Sequence, residues 1–246
     1  MARLIIDAAN RGIWNMSVDE ALLTSAANDS FPTTLRFYQW DQATLSLGYF
    51  QRHDERAHHE SSLGCSMVRR ATGGGAIVHH HELTYSFITG VKNRLSRDVE
   101  GFYHLFHQTL IDALAKHGIG CQLCPPSNQP PTGKEPFLCF ERRAAQDVVL
   151  GSAKVAGSAQ RRHKGCLLQH GSVLLGTTPY APELPGIWSI SGSRILAEEL
   201  AGDWTSAIEA SLGTQFQSEP LTDEETGWAK SFARSKFGDE NWTKRR

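Results

Sequence analysis

No stretch of this sequence is apolar for long enough to cross a bilayer. The opening Met1-Ala2-Arg3-Leu4-Ile5-Ile6-Asp7 also lacks the apolar core of a secretory signal. The expectation is a cytoplasmic protein with no membrane partner. Neither sign of charge dominates: 25 Lys and Arg against 26 Asp and Glu leave a formal net charge of −1. That balance removes any global electrostatic case for nucleic acid. Cysteine is scarce and odd in number. Cys65, Cys121, Cys124, Cys139 and Cys166 read as reduced thiols, not as a disulfide framework. Cys121 and Cys124 form a C-x-x-C, but no second one completes a structural zinc site. The alternative is a pair of small residues at a strand edge after a helix. There is no internal repeat and no low-complexity segment. The glycine triplet at 73–75 is not followed by Gly-Lys-Ser/Thr, which excludes a Walker loop.

What is present is an ordinary globular composition, 40% hydrophobic and 21% charged over 246 residues. Nothing forces a split, so one domain over 1–246 is expected. Leu4–Asp7 reads as a first strand. Ser17-Val18-Asp19-Glu20 matches a capping box, predicting a helix through Ala21 and Leu22 to about Ala27, ended by Asn28-Asp29-Ser30. Leu35–Trp40 and Thr44–Tyr49 alternate as strands and suggest a hairpin across Asp41-Gln42-Ala43. A polar helix carrying His53, His58 and His59 is expected from Gln51 to Ser62. Met67–Arg70 and Glu82–Ile88 read as strands. The strongest helical pattern runs from Asp98 to His117, with Phe102, Leu105, Phe106, Leu110, Ala113 and Leu114 on one face. Ser96 or Asp98 caps it and Gly118 stops it. A proline-rich loop, Cys124 to Pro136, includes Pro130, Pro131 and Gly133. Toward the end, two helical segments are predicted at about Ser193–Ala201 and Thr205–Leu212. A second capping box, Thr222-Asp223-Glu224-Glu225, opens another.

Two stretches carry chemistry. In Arg69-Arg70-Ala71-Thr72-Gly73-Gly74-Gly75-Ala76-Ile77-Val78-His79, three glycines cost folding entropy and permit close approach of backbone to a ligand. Two arginines before them can hold a carboxylate or phosphate. A plain glycine-rich turn fits these residues equally well. Adjacent histidines at 79–81 point to opposite faces of a strand, so at most two could share a metal. A binding-site role for His79, beside the glycine loop, is preferred.

The second stretch is Leu138–Gly176. Three apolar runs, Val148–Leu150, Val155–Ala156 and Leu167–Leu168 with Val173–Leu175, are separated by Gly-Ser, Gly-Ser and Lys-Gly steps, a meander pattern. Cys139 precedes it and Lys154 lies within it. A thiol that transfers acyl groups needs a nearby cation and donors for an oxyanion. Amides near Gly73–Gly75 or Gly157–Ser158 are candidates for the latter. On the residues alone, the commoner readings are the stronger ones: Cys139 as a buried structural thiol and Lys154 as a solvated strand lysine.

Four ordered segments resemble one family. They are N-M-S-V-D-E-A-L, L-R-F-Y-Q-W with T-L-S-L-G-Y-F-Q, R-R-A-T-G-G-G-A-I-V-H-H-H-E-L-T-Y-S-F, and K-V-A-G-S-A-Q-R-R with L-L-Q-H-G-S-V-L-L. They cover about Met16 to Leu175 and resemble the lipoate–protein ligase A/octanoyltransferase family. The resemblance implies an α+β fold, a mixed, largely antiparallel sheet flanked by helices, of the biotin/lipoate ligase catalytic-domain type. It implies Lys154 as the active-site lysine, and Cys139 as the nucleophile of the cysteine-dependent branch. It further implies a tunnel for an octanoyl or lipoyl chain, with Arg69, Arg70, Thr72, Gly73, Gly74, Gly75, His79, Gly157, Ser158, Gln160, His170 and Gly171 as substrate-binding residues. No metal is expected. Ligases of the family often carry His-Asp after the glycine loop, where this chain has His79-His80.

The expected activity is transfer of an octanoyl group from octanoyl-acyl carrier protein, through a Cys139 thioester, to a lysine of a lipoyl domain or glycine cleavage H protein. That reaction needs no cofactor. An ATP- and Mg²⁺-dependent lipoate ligase is the runner-up. A non-catalytic relative that binds lipoyl domains is the third reading.

Overall fold

The computed structural model describes residues 2–27, 31–90, 99–126 and 135–246. Among these, eleven strands form two sheets. The large sheet has the order β11-β1-β2-β6-β10-β9-β8-β7. Its strands are β1 (Ala2–Ile6), β2 (Thr33–Tyr38), β6 (Glu82–Thr89), β7 (Gln122–Leu123), β8 (Val148–Leu150), β9 (Ala153–His163), β10 (Cys166–Leu174) and β11 (Phe216–Ser218). β11, β1 and β2 run parallel; from β2 to β7 every pair is antiparallel. The small sheet is β4 (Ser66–Arg69), β3 (Thr44–Leu47) and β5 (Ile77–His79) in that order. This is the expected mixed, mostly antiparallel α+β architecture.

The pleat of the large sheet separates two interiors. On one face Leu35, Phe37, Leu83, Tyr85 and Phe87 meet α2 (Val99–Ala115) and α4 (Ala197–Leu212), with Ile187 of the short α3 (Ile187–Ser191) in the same core. Trp204 is fully buried there, with ring centroids 5.5 Å from Phe37 and 4.8 Å from Tyr85. Truncating a core aromatic of this kind costs about 3–5 kcal/mol. On the other face Ile88 and Leu168 pack under α1 (Gly12–Ser25), with Ala229 of α5 (Asp223–Phe232) in the same cluster. The α1 side is also where the small sheet closes over the large one. No helix among the described residues is long and apolar enough to span a membrane.

Several local expectations change. Ser17 does not start α1; it lies inside the helix and donates to Ile13 O at 2.6 Å. Its polar neighbours resemble a cap because Asp19 and Glu20 serve buried ion pairs instead. β2 and β3 are not a hairpin. β2 pairs with β1 and β6, while β3 founds the small sheet. Alternation reports burial and is blind to the partner strand. The 51–62 segment forms two short 3-10 turns, Asp54–His58 and Glu60–Ser62, not one helix. Gly157-Ser158 is not a turn, because β9 runs through it unbroken. The two C-terminal helical segments are one helix, since Gly202 faces open space and need not break it.

Other signals hold. Lys164 (φ 48°) and Gly165 (φ 81°) make the two-residue loop between β9 and β10. The Thr222–Glu225 capping box is present, and Glu225 also forms a buried bidentate pair with Arg3 at 2.7 and 3.0 Å. Cys121 and Cys124 flank the edge strand β7, and burial pushes the Cys121 thiol up to about 11. His80 and His81 stack on each other at 3.9 Å. The proposed caps Ser96 and Asp98, the helix end at 28–30, and Pro130, Pro131 and Gly133 lie outside the described residues.

Candidate functional site

A largely apolar cavity lies between the small sheet and the α1 face of the large sheet. Met16, Trp40, Ile77 and Phe140 supply apolar walls. Its sheet side is a row at one level across four strands. Tyr38 of β2 stands beside Thr84 of β6, Thr84 beside Ser172 of β10, and Ser172 beside Gly157 of β9. Cys139 stands at the Gly157 end, on a short 3-10 turn, Cys139–Glu141.

The turn is fastened to the glycine loop. Cys139 N donates to Ala76 O at 2.7 Å, and Ala76 N donates to Phe137 O at 3.0 Å. Gly75 packs directly beneath; a Cβ there would lie 2.9 Å from Cys139 N. Gly74 has φ +93°, so glycine is required, and a Cβ on it would sit 4.0 Å from Cys139 Sγ and 3.6 Å from an Arg70 nitrogen. Gly73 is covered by the Phe50 ring, which is 67% exposed.

Lys154 approaches from β9. Its Nζ lies 3.8 Å from Cys139 Sγ, 3.5 Å from Cys139 O and 2.9 Å from Asp147 Oδ2. The Phe140 ring lies 5.4 Å away. Asp147 is itself held by the Ala144 amide at 2.7 Å. Sequence reasoning missed Asp147. Its signal was a lone acidic residue opening a buried strand. Gly157 explains its own place in the middle of β9. A Cβ there would lie 2.6 Å from Lys154 Cε and 3.0 Å from Asp147 Oδ1. The lysine stem occupies the space a side chain would take.

The remaining candidates divide. Arg70 is buried and its guanidinium is lowered by burial. It donates to Ser46 O, Ser46 Oγ, Gly73 O and Gly75 O, at 2.6–3.2 Å, so it shapes the glycine loop from within. Arg69 lies away from the cavity and donates to the carbonyls of Gly48, Gln51 and Thr243 at 2.7–2.9 Å. Thr72 and His170 join at 2.7 Å, and His170 reaches Asp19 at 3.2 Å. Asp19 also accepts from Arg36, Tyr38 and Ser86. Although burial opposes it, the His170 hydrogen bond and the Arg36 charge hold Asp19 below the ordinary carboxylate range. This buried network was invisible in sequence, because its members come from α1, β2, β6 and β10. Ser158 and Gly171 line the cavity, but the Ser158 hydroxyl bonds behind it, to His107 at 2.6 Å and Tyr85 at 2.8 Å. Gln160 bonds to Gln169 at 2.7 Å. His79 lines the cavity, stacked on Trp40 at 3.8 Å and pushed down by burial.

A cavity flanked by glycine backbone, with a thiol and an ammonium at one end, suits an acyl chain whose carbonyl reacts at that end. The fold is that of the lipoate ligases. A crystal structure of lipoate-protein ligase A bound with ATP superposes with a TM-score of 0.79 at 20% identity, covering 99% of this chain and 98% of that one. The chain belongs to the family of the Lipoyl protein ligase A/B catalytic domain, which it matches over residues 12–181. A relative named Octanoyltransferase LipM, from Brevibacillus brevis, is 30% identical over 274 residues, covering 99% of both chains. One of the same name from Bacillus subtilis is 29% identical over 272 residues, covering 98% of this chain and 97% of its own.

Proposed function

We propose that this chain is an octanoyltransferase that carries the acyl group on Cys139 between octanoyl-acyl carrier protein and a lysine of a lipoyl domain or glycine cleavage H protein. The observation that carries the reading is the 3.8 Å approach of Lys154 Nζ to Cys139 Sγ, which stands at the Gly157 end of the cavity. Full-length relatives named octanoyltransferase support the same acyl group.

The thiolate of Cys139 attacks the donor thioester. A carbon–sulfur bond to Cys139 forms and the bond to the carrier sulfur breaks. The Lys154 ammonium gives its proton to the departing thiolate. In the second half, the acceptor amine attacks the acyl-enzyme, an amide forms, and Cys139 leaves as thiolate. The neutral Lys154 takes the proton that the amine loses, and the site is restored. Proton transfers of this kind contribute about 10²- to 10⁴-fold each. Asp147 holds Lys154 in reach of the sulfur throughout. Among the described residues the amides of Gly73, Gly74 and Gly75 donate no hydrogen bond; in a loop that brings Gly74 beside the sulfur, they are candidate oxyanion donors.

Intact-protein mass spectrometry after incubation with octanoyl-acyl carrier protein tests the reading. Wild type gains one octanoyl group and Cys139→Ala gains none. No adduct on wild type, together with pyrophosphate release from ATP and lipoate that survives Cys139→Ala, would establish the ligase reading instead.

A further inference from the structure

The far end of the cavity is built around a residue that does not line it. Glu82 opens β6 and is buried. Its Oε1 accepts three hydrogen bonds, from His79 Nδ1 at 2.7 Å, Thr84 Oγ1 at 2.5 Å and Ser172 Oγ at 3.0 Å. Thr84 in turn accepts from Trp40 Nε1 at 2.8 Å, and Trp40 stacks on His79. One carboxylate oxygen thus fixes Thr84, Ser172 and His79 directly, and Trp40 through two of them. All four line the cavity. Glu82 Oε2 has no hydrogen-bond partner among the described residues. A buried carboxylate left half satisfied is a poor device for stability alone.

The spacing gives this wall a meaning. Gly157, beside Lys154, and Thr84 sit at one level, two strands apart across β10. Two inter-strand steps span roughly 10 Å. An extended eight-carbon chain is about 9 Å long, from carbon–carbon bonds of about 1.5 Å at tetrahedral angles. A chain with its carbonyl at Cys139 therefore brings its terminal methyl to the Trp40–Thr84 wall.

We propose that Glu82 sets the acyl-chain length this site accepts, by holding Trp40, Thr84 and His79 as a fixed end stop one eight-carbon chain away from Cys139, with Ser172 bracing Glu82 from the strand between. Glu82 is a positioning residue, and the proposal rests on the acyl-transfer reading above. A second hydrogen-bonded line runs from the stop back toward the nucleophile. His79 Nε2 meets Ser46 Oγ at 2.6 Å, Arg70 donates to the same oxygen, and Arg70 clamps Gly73 and Gly75. The wall and the loop under Cys139 are parts of one framework, so the stop cannot drift independently of the reacting end.

The test is the rate of acyl-Cys139 formation from hexanoyl-, octanoyl- and decanoyl-acyl carrier protein, read by intact mass. Wild type is fastest with octanoyl. Hexanoyl is slower by about tenfold for two unburied methylenes, and decanoyl by about tenfold or more for overpacking. Glu82→Gln keeps the shape but weakens the anchor, and raises the decanoyl-to-octanoyl ratio by about fivefold, leaving the hexanoyl-to-octanoyl ratio unchanged. Trp40→Phe, which loses the bond to Thr84, shifts the ratio the same way and serves if Glu82→Gln does not fold. Equal wild-type rates for octanoyl and decanoyl, or wild-type ratios in the folded variants, would overturn the proposal. If no acyl-enzyme forms with any donor, the transfer reading has failed. Binding of free hexanoate, octanoate and decanoate to Cys139→Ser then reads the ruler without the chemistry, and the same order of affinities is expected.

Discussion

Replacing Gly157 by alanine adds one carbon at the point where the lysine stem crosses β9. The new Cβ would lie 2.6 Å from Lys154 Cε, 2.9 Å from its Nζ and 3.0 Å from Asp147 Oδ1. One side must yield. The backbone cannot move far, since Gly157 is paired with Ser172 in the middle of the large sheet. The lysine stem is the flexible partner, and it swings away from Cys139 Sγ and Asp147. A shift of about 1 Å in a catalytic group costs about 10²-fold, equivalent to about 2.7 kcal/mol of barrier. We therefore expect acyl-enzyme formation by Gly157→Ala to fall about a hundredfold, approaching Lys154→Ala. Rapid-quench mass spectrometry with octanoyl-acyl carrier protein measures the rate, and circular dichroism checks the fold. A folded Gly157→Ala protein within threefold of wild type, beside an inactive Lys154→Ala control, would refute the argument that this glycine makes room for the lysine.

Asp147→Asn removes the carboxylate 2.9 Å from Lys154 Nζ and leaves the ammonium buried without its partner. Acyl-enzyme formation should slow by about 10- to 100-fold, and a wild-type rate would show that Asp147 does not position the lysine. Burial holds His79 and His107 below the ordinary histidine range. Below about pH 6.5 the unfolded chain then binds more protons than the folded one. Stability should fall with decreasing pH by up to about 1.4 kcal/mol per unit for each histidine, with no slope from either above that range. Urea unfolding between pH 5 and 8 checks this, and a flat profile would contradict it. Gly202 in α4 and Gly227 in α5 face open space. Alanine at either should stabilise by about 0.8 kcal/mol, raise the melting temperature by about 2–4 °C, and leave turnover unchanged.

Much of this protein was legible in its sequence for physical reasons. The face of α2, with Phe102, Phe106 and Leu110, follows from helical period. The Lys164-Gly165 turn and the Thr222 cap follow from local chemistry, which acts over a few residues and leaves its mark in adjacent letters. The four ordered segments placed the chain in its family, and with it the expected fold. Tertiary structure decided what local pattern cannot carry. It assigned β3 to a second sheet, carried β9 straight through Gly157-Ser158, and turned Arg69 away from the cavity. It brought Asp147 to Lys154, and it gathered Trp40, His79, Thr84 and Ser172 onto one oxygen of Glu82. Each of these is a contact between elements distant in the chain. Such contacts depend on which strands pair and in what register, and no run of neighbouring residues records that choice.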